Sequence, residues 1–234
     1  APMHVAAIIV AAGAGRRIGA ATPKSYLPIA GRPLILRTVD RIFSSHSVAE
    51  VILVVSANEI ERCRHLLEAD MALKGRSYVL HAGGATRQQS VRRGLETISA
   101  GTDIVMIHDG ARPFVSAALI DRCIAAAAAH GAAVVGLPVR DTIKQVGKDG
   151  YVQSTPERAG LWEIQTPQIF QRELIVAAHD WAAREGVEAT DDAMVVERMD
   201  KSVFVVAGER TNFKITVPED LLLAEALIRA GVVT

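Results

Sequence analysis

A glycine-rich turn that carries several positive charges follows the first apolar run of the chain. The stretch AAGAGRRIGAATPKSYLPIAGRPLI, residues 11–35, comes directly after Val5–Val10 and contains Arg16, Arg17 and Lys24. Backbone N–H groups in a glycine turn at the end of a strand can surround phosphate oxygens. The cationic side chains supply charge for more phosphate than the backbone alone can neutralise. The stretch therefore predicts a site for a polyphosphate.

Two common phosphate-binding motifs fit this stretch less well. Lys24 lies too far from Gly15 to be the lysine of a P-loop. In a dinucleotide-binding motif a bare helix N-terminus meets the pyrophosphate, and an acidic residue follows the second strand. Here two arginines follow the glycines, and Ser-Ala-Asn follows Val51–Val55. A nicotinamide-dependent oxidoreductase remains an alternative from another class, and a non-catalytic nucleotide sensor is a further one.

The charge balance argues against a general electrostatic attraction to nucleic acid or membranes. Among 234 residues, 26 Lys and Arg balance 26 Asp and Glu, which gives a formal net charge of +0. Proteins that bind nucleic acid or anionic lipid electrostatically carry excess positive charge. We therefore expect neither as a partner, and any bound anion must be met by a local cluster of cations.

The cysteines and the N-terminus favour a cytoplasmic location. Cys63 and Cys123 are far apart in the sequence, so we expect two reduced thiols, with Cys123 in the core. The N-terminus lacks the basic and apolar pattern of a signal peptide. The alanine-rich run near residues 124–129 is too short to span a bilayer.

Short apolar runs alternate along the chain with helical patterns. Strands are predicted at Ala6–Val10, Val51–Val55, Tyr78–His81, Ile104–His108, Ala133–Pro138 and Val203–Val206. Helices are predicted at Pro33–Ser44, Asn58–Leu67, Arg87–Ile98, Ala117–Ala129 (between Ser116 and Gly131), Arg172–Arg184 and Asp191–Met199, and a last one from Pro218. The alternation predicts an α/β fold, a Rossmann-like, mostly parallel sheet with helices on both faces, in a single domain over residues 1–234.

These elements would bring the candidate residues to one edge of the sheet. Gly13, Gly83 and Asp109 each follow a predicted strand end. Ligands of such sheets bind beyond the carboxyl ends of the strands. The glycine turn and Asp109 are therefore expected to share one site.

The alternation breaks between residues 139 and 167. An Asp149–Gly150 turn lies there between short alternating segments, which predicts an inserted β-hairpin arm. A two-stranded ribbon is marginally stable by itself, so the arm is expected to pack on a second protomer.

The first stretch and six later motifs occur in the order of one enzyme family. The later motifs are GGATRQQSVRRGL (83–95), IHDGARPFV (107–115), VRDTIK (139–144), ERAGLWEIQTPQIF (157–170), ATDDA (189–193) and NFKITVPEDL (212–221). The chain resembles the 2-C-methyl-D-erythritol 4-phosphate cytidylyltransferases from about Ala6 to the last helix. The resemblance implies transfer of the cytidylyl group of CTP to a polyol phosphate, with release of pyrophosphate. A cytidylyltransferase for another polyol phosphate, such as ribitol 5-phosphate, is the alternative within the class.

The resemblance also implies roles for the matching residues. Catalytic roles fall to Arg17, Lys24, Arg158 and Lys214. The nucleotide is expected at Ala11, Ala12, Gly13, Ala14, Gly15, Gly84, Ala85, Ser90 and Asp109, where Thr86 also fits a helix N-cap. Asp109 is expected to hold Mg²⁺ that is bound mainly by CTP phosphates, or to meet a substrate hydroxyl. His108 is expected to be a packed or hydrogen-bonded residue. Gly110 stands where the family usually has alanine, which predicts a freer loop.

The polyol phosphate is expected at residues from separate segments. Its binding residues are Arg112, Thr142, Thr166, Thr190 and Asp191, together with Arg158 and Lys214 around the attacking phosphate. The segment at Asp191 also fits an N-cap with an acidic first turn. The resemblance implies that a second, identical subunit packs around the arm. Thr142 and Arg158 would then complete the site of the partner in a homodimer.

Overall fold

A seven-stranded sheet forms the centre of the computed structural model, which describes residues 3–13 and 22–234. In spatial order its strands are β11 (Phe204–Ala207), β7 (Ala132–Pro138), β10 (Trp162–Gln171), β6 (Ile104–Asp109), β1 (Val5–Ala11), β4 (Val48–Val55) and β5 (Val79–Ala82). β10 runs antiparallel to its neighbours β6 and β7, and the other pairs are parallel. The predicted α/β fold with a mostly parallel sheet is confirmed.

Helices cover both faces of the sheet. They are α1 (Leu34–Phe43), α2 (Ile60–Ala69), α3 (Arg87–Leu95), α4 (Ala117–His130), α5 (Arg172–Glu185), α6 (Asp192–Glu197) and α7 (Pro218–Arg229). On β1, Ala7 and Ile9 join a core cluster with α1, α2 and α4, whereas Ala6 and Ile8 join one with α3, α5 and α6. Within the described part of the chain, no helix is both long and apolar enough to cross a membrane.

The predicted limits of α4 follow from its capping residues. The N–H of Leu119 donates to the Ser116 hydroxyl over 3.1 Å at the start of the helix. Gly131 ends it with a φ of 87°, a backbone conformation that a residue with a side chain rarely adopts. Ser116 and Gly131 therefore have the roles that the sequence predicted.

Both cysteines lie in the core cluster under α1, α2 and α4. Burial raises the pKa of the Cys63 thiol to about 11 and that of the Cys123 thiol to about 12. Both are free thiols, and the core position predicted for Cys123 is confirmed.

The long strand β10 was not predicted. Polar residues interrupt its apolar ones without a regular period, and it contains Pro167, which normally argues against a central strand. The pairing of β10 with β7 shifts register between Ile164 and Gln168, and this irregularity accommodates the proline. Residues 162–167, which the prediction placed in the arm, therefore belong to the central sheet.

The arm itself contains a short β-hairpin, as predicted. β8 (Gln145–Val146) pairs with β9 (Val152–Ser154) around the Asp149–Gly150 turn, where Gly150 has a φ of 83°. A second small ribbon, β2 (Pro28–Ile29) with β3 (Arg32–Pro33), leads into α1.

The carboxyl ends of the parallel strands meet at one edge of the sheet. The N–H of Gly83, after β5, donates to the carbonyl of Val55 at the end of β4 over 2.7 Å. The N–H of Gly110, after β6, donates to the carbonyl of Val10 in β1 over 2.9 Å. The segments that carry the predicted nucleotide-binding residues are therefore neighbours in space.

Candidate active site

A cavity of about 370 Å³ lies at this edge of the sheet. Among the described residues it is lined by Val10, Ala11, Ala12, Gly13, Lys24, Ser25, Gly84, Ala85, Thr86, Arg87, Ser90, Asp109, Ala111, Lys214 and Thr216. The cavity thus brings together the predicted nucleotide-binding residues that the structure describes with Lys24 and Lys214. The predicted residues Ala14, Gly15 and Arg17 lie outside the described residues.

Asp109 is the carboxylate at the centre of a group of cations. Its Oδ2 lies 2.9 Å from Lys214 Nζ and 3.7 Å from Arg112 Nε, and its Oδ1 lies 3.2 Å from Arg87 Nε. Burial by itself would raise the pKa of Asp109, but the charges of Arg87, Lys214 and Arg112 outweigh it and hold this pKa well below its usual range. Asp109 is therefore ionised at neutral pH.

Lys24 reaches the cavity from the segment that follows the first loop. Its Nζ donates to the carbonyl of Ile215 over 2.8 Å, next to Lys214. Lys24 begins a single helical turn that ends at Tyr26, and the ring of Tyr26 lies under the Arg62 guanidinium at 4.6 Å. The turn is thus held against α2, which fixes where the lysine enters the cavity.

His108 and Thr166 fix the backbone of Asp109 from beneath. His108 Nε2 lies 3.0 Å from the Arg112 carbonyl, which only accepts, so Nε2 carries the proton. Its Nδ1 then accepts from the Thr166 hydroxyl over 3.0 Å, and that hydroxyl accepts the Asp109 N–H over 3.0 Å. Complete burial lowers the pKa of His108 to about 4, so the ring is neutral. His108 is the hydrogen-bonded core residue that the sequence predicted.

The glycines before α3 bring their loop against the first strand. A Cβ on Gly83 would lie 2.5 Å from the Ala12 Cβ, so only glycine fits there. The buried Ser90 hydroxyl accepts the Gly84 N–H over 3.1 Å and donates to the Thr86 carbonyl over 2.9 Å. Ser90 therefore holds the shape of the loop, whatever it does for a ligand.

Two further contacts complete this loop. The Ala85 N–H donates to the Gln89 side-chain oxygen over 2.9 Å, and the Gln89 N–H donates to the Thr86 hydroxyl over 3.1 Å. Thr86 is thus the N-cap of α3, as its sequence context indicated.

Sequence reasoning missed Arg87. Its side chain lines the cavity and forms ion pairs with Asp109 and with the buried Asp192. Burial opposes the charge of Arg87, but Asp192 and Asp109 outweigh this effect and raise its pKa. One signal was available in the sequence: Arg87 directly follows an N-cap, where the helix dipole disfavours a cation unless carboxylates lie nearby.

The residues predicted for the second substrate do not all reach the cavity. Within the described residues, Arg112, Thr166, Thr190 and Asp191 lie outside its lining. Arg112 donates to the Asn212 carbonyl over 2.8 Å. The Asp191 carboxylate caps α6 by accepting the Met194 N–H over 2.9 Å and accepts from the Gln168 amide over 2.9 Å. These side chains are close to Asp109 or to α6 and are held by internal bonds.

Thr142 and Arg158 are exposed residues outside the described cavity lining. Both belong to the excursion between β7 and β10, where the Arg158 guanidinium donates to the Arg140 carbonyl. The structure of one chain does not bring them to Asp109.

The freer loop expected at Gly110 is wrong. Its N–H donates a hydrogen bond to the Val10 carbonyl, and its own carbonyl accepts a hydrogen bond from the Thr38 hydroxyl over 2.7 Å. A Cβ at this position would lie 2.9 Å from the Ala11 Cβ and 3.1 Å from the Ile35 Cδ1. Gly110 is therefore buried and tightly packed, because β1 and α1 approach its backbone closely.

Comparison with known proteins decides the family. The family model of 2-C-methyl-D-erythritol 4-phosphate cytidylyltransferase (IspD) matches residues 5–230. The chain belongs to this family. The predicted resemblance is thereby confirmed, and the oxidoreductase and ribitol phosphate alternatives are not favoured.

Relatives in the IspD family match over nearly their whole length. The cytidylyltransferase of Geobacter metallireducens is 45% identical over 231 residues, covering 97% of this chain and 98% of the relative. That of Caldanaerobacter subterraneus is 42% identical over 227 residues, covering 97% and 100%.

Solved structures of the family share the fold. The cytidylyltransferase of Thermus thermophilus superposes with a TM-score of 0.79 at 40% identity, covering 97% of this chain and 100% of that one. The 4-diphosphocytidyl-2C-methyl-D-erythritol synthase of Anaerococcus prevotii gives a TM-score of 0.86 at 32% identity, covering 97% of each.

Proposed function

We propose that the chain transfers the cytidylyl group of CTP to the phosphate of 2-C-methyl-D-erythritol 4-phosphate. The products are 4-diphosphocytidyl-2-C-methyl-D-erythritol and pyrophosphate, in the synthesis of isoprenoid precursors. Family membership names the reaction. The observation that supports it here is the cavity, which is lined by Lys24, Arg87 and Lys214 together with a single described carboxylate, Asp109.

The proposed chemistry needs charge compensation more than a general base. A phosphate monoester has a second pKa near 6, so at neutral pH the nucleophile is already largely a dianion. One of its oxygens forms a bond to the α-phosphorus of CTP. The bond between that phosphorus and the oxygen that bridges the α- and β-phosphates breaks, and the electron pair of this bond leaves with pyrophosphate. Two polyanions must therefore be held together, and fixed cations serve this purpose.

The nucleotide would lie against the first loop and the loop before α3. Lys24, with Arg17, would bind the triphosphate, and the backbone of residues 11–15 would surround the phosphates. The N–H groups of Gly84 and Ala85 already donate to Ser90 and Gln89. Carbonyl oxygens of this loop would then accept the amino group of cytosine, which uracil lacks, and this favours CTP over UTP.

The attacking phosphate would be held by Lys214, with Arg158 supplied by the arm. Lys214 is held by Asp109 at the edge of the cavity. Arg112, Thr142, Thr166, Thr190 and Asp191 are proposed to surround the polyol.

The donor set fits a magnesium ion that is shared with the substrate. Within residues 3–13 and 22–234, no group of three or more His, Cys, Asp or Glu side chains is placed to hold a metal ion. Asp109 is an ionised oxygen ligand beside the cavity, and Mg²⁺ commonly combines one carboxylate with phosphate oxygens and water. When bound, Mg²⁺ would neutralise charge on the triphosphate.

A second copy of the chain is proposed to cover the arm. Val146, Tyr151 and Val152 of the hairpin are exposed, with Tyr151 at 76%. The neighbouring sheet adds Trp162 and Ile164, which are also exposed and pack beside Gly136. Apolar surface of this kind marks an interface, and a homodimer built on it would bring Thr142 and Arg158 to the partner's cavity.

We also place the enzyme in the cytoplasm. Both cysteines are free thiols, which is usual for proteins of reducing compartments.

A pyrophosphate-release assay tests the proposal. The purified chain is given each of the four nucleoside triphosphates with methylerythritol phosphate or ribitol 5-phosphate, with Mg²⁺ or with excess EDTA. We expect release with CTP and methylerythritol phosphate, and its loss in EDTA. No release from that pair, or equal use of ribitol 5-phosphate, would contradict the proposed substrate.

A further inference from the structure

A series of polar side chains leads from Asp109 away from the cavity, through the partly buried Arg87 to the buried Asp192 and His179. Arg87 Nε lies 3.2 Å from Asp109 Oδ1, and Arg87 Nη1 lies 2.8 Å from Asp192 Oδ2. Beyond them, His179 Nε2 lies 3.1 Å from Asp192 Oδ1. Asp192 is 1% exposed, so water screens its ion pair with Arg87 little. The guanidinium therefore bridges two carboxylates from different segments.

Asp192 is a rigid anchor for this bridge. Its N–H donates to the Gln168 side-chain oxygen over 3.1 Å, and that of Ala193 donates to the same oxygen over 3.0 Å. Gln168 is a buried residue of β10, so the start of α6 is fixed on the central sheet. Arg87 is consequently held at both ends of its planar fork.

The bridge determines which oxygen of Asp109 meets Lys214. With Oδ1 bound by Arg87, Oδ2 remains for the Lys214 ammonium at 2.9 Å. A carboxylate held on one side cannot turn both oxygens to the lysine.

We propose that Arg87 is a positioning residue for the transfer reaction, acting through Asp109. By holding Oδ1, Arg87 keeps the carboxylate from pairing with Lys214 through both oxygens. The Lys214 ammonium thus remains available to the incoming phosphate. This inference rests on the proposed function, in which Lys214 binds that phosphate. Arg87 also ties the loop before α3, the end of β6 and the start of α6 to one another.

The test separates this role from a contribution to folding. Among the described residues, Arg87→Gln alone leaves the buried Asp192 carboxylate with His179 as its side-chain partner, and it is expected to lower the melting temperature. Arg87→Gln combined with Asp192→Asn removes both charges and is expected to recover most of that loss. In this double variant we expect kcat to stay about 100-fold below wild type, because small misplacements near the reacting groups have effects of this size.

Matched variants and a binding measurement complete the design. Arg87→Lys keeps the charge without the fork and is expected to lower kcat about 10-fold. Arg92→Gln, at an exposed position of the same helix, should leave kcat unchanged. Calorimetry with CTP should show a smaller relative change in Kd than in kcat for the double variant, since Arg87 lines the cavity but its main effect lies in positioning.

The outcomes are distinguishable. A folded double variant with wild-type kcat would show that Arg87 serves only to neutralise Asp192, and would overturn the inference. A wild-type chain that releases no pyrophosphate would overturn the proposed function, and this inference with it.

Discussion

The backbone N–H of Asp109 donates to the hydroxyl of Thr166 over 3.0 Å, across neighbouring strands β6 and β10. The same hydroxyl donates a hydrogen bond to Nδ1 of the neutral His108 ring. Thr166 is 4% exposed, so this geometry makes it a support for Asp109. Its predicted contact with the second substrate stays a prediction.

Thr166→Val should lower the free energy of unfolding by about 1–3 kcal/mol, because it leaves the Asp109 N–H and His108 Nδ1 without a partner. Turnover should also fall, since Asp109 is no longer fixed. Urea denaturation and pyrophosphate release measure the two effects. Thr166→Ser keeps the hydroxyl and should retain both properties; an equal loss in Thr166→Ser would point to the methyl group instead.

Lys24→Ala should lower kcat by about 100-fold to 1,000-fold, which is typical for removal of one donor that stabilises transition-state charge. Stability should fall far less than turnover, by about 1 kcal/mol for the lost hydrogen bond to the Ile215 carbonyl. Lys201→Ala, at an exposed position far along the chain, is the control. Wild-type turnover in Lys24→Ala would contradict the assigned role.

Acid should destabilise the fold before most carboxylates titrate. Burial lowers the pKa of His108 from 6.5 to about 4. The unfolded chain therefore binds a proton at His108 below about pH 6.5, whereas the folded chain binds it only below about pH 4. The stability that is present above this window is lost as the pH falls through it. His108 would account for about 3 kcal/mol of that loss over the whole window, of which about 2 kcal/mol falls between about pH 7 and pH 5. Urea denaturation without nucleotide, between about pH 7 and pH 5, measures it, and His108→Asn should show a shallower dependence.

The sheet could be predicted from the sequence because its parallel strands are continuous apolar runs. The strand ends predicted at Val10 and His108, each one residue short of the observed end, then placed the glycine turn and the carboxylate at one edge. β10 could not be found this way, because polar side chains and Pro167 interrupt its apolar pattern. The contacts of these polar side chains with Asp109 and α6 are long-range, and no local pattern reveals them.

The site was predictable only in part for a related reason. Lys24 and Lys214 matched family motifs, and both line the cavity. Arg87 acts through Asp109 and is anchored by Asp192, which follows it by 105 residues, and the packing of Gly110 depends on α1. Long-range contacts of this kind leave weak traces in the sequence.

Gly110→Ala should destabilise the chain by about 1–3 kcal/mol, because the added Cβ overlaps the Ala11 Cβ. Adding Ala11→Gly removes the contacted methyl group and should recover part of the loss. Thermal denaturation of the single and double variants measures the coupling. Strict additivity of the two changes would contradict the close approach.

Mixing two inactive variants tests whether the arm completes the partner's site. If it does, a dimer of one Lys24→Ala chain and one Arg158→Ala chain has one intact site and one doubly altered site. Random reassembly should then restore about a quarter of wild-type activity. If each arm serves its own chain, mixing restores nothing. Light scattering checks that dimers form, and mixing either variant with itself is the control.

The excursion that carries the arm leaves and rejoins the sheet at adjacent points. Pro138 at the end of β7 pairs with Trp162 at the start of β10, and the Val139 N–H donates to the Leu161 carbonyl over 3.0 Å. The segment between them is thus a module closed by its own hydrogen bonds. Because its two ends are paired with each other, a change in the length of this segment is expected to leave the register of the sheet unchanged.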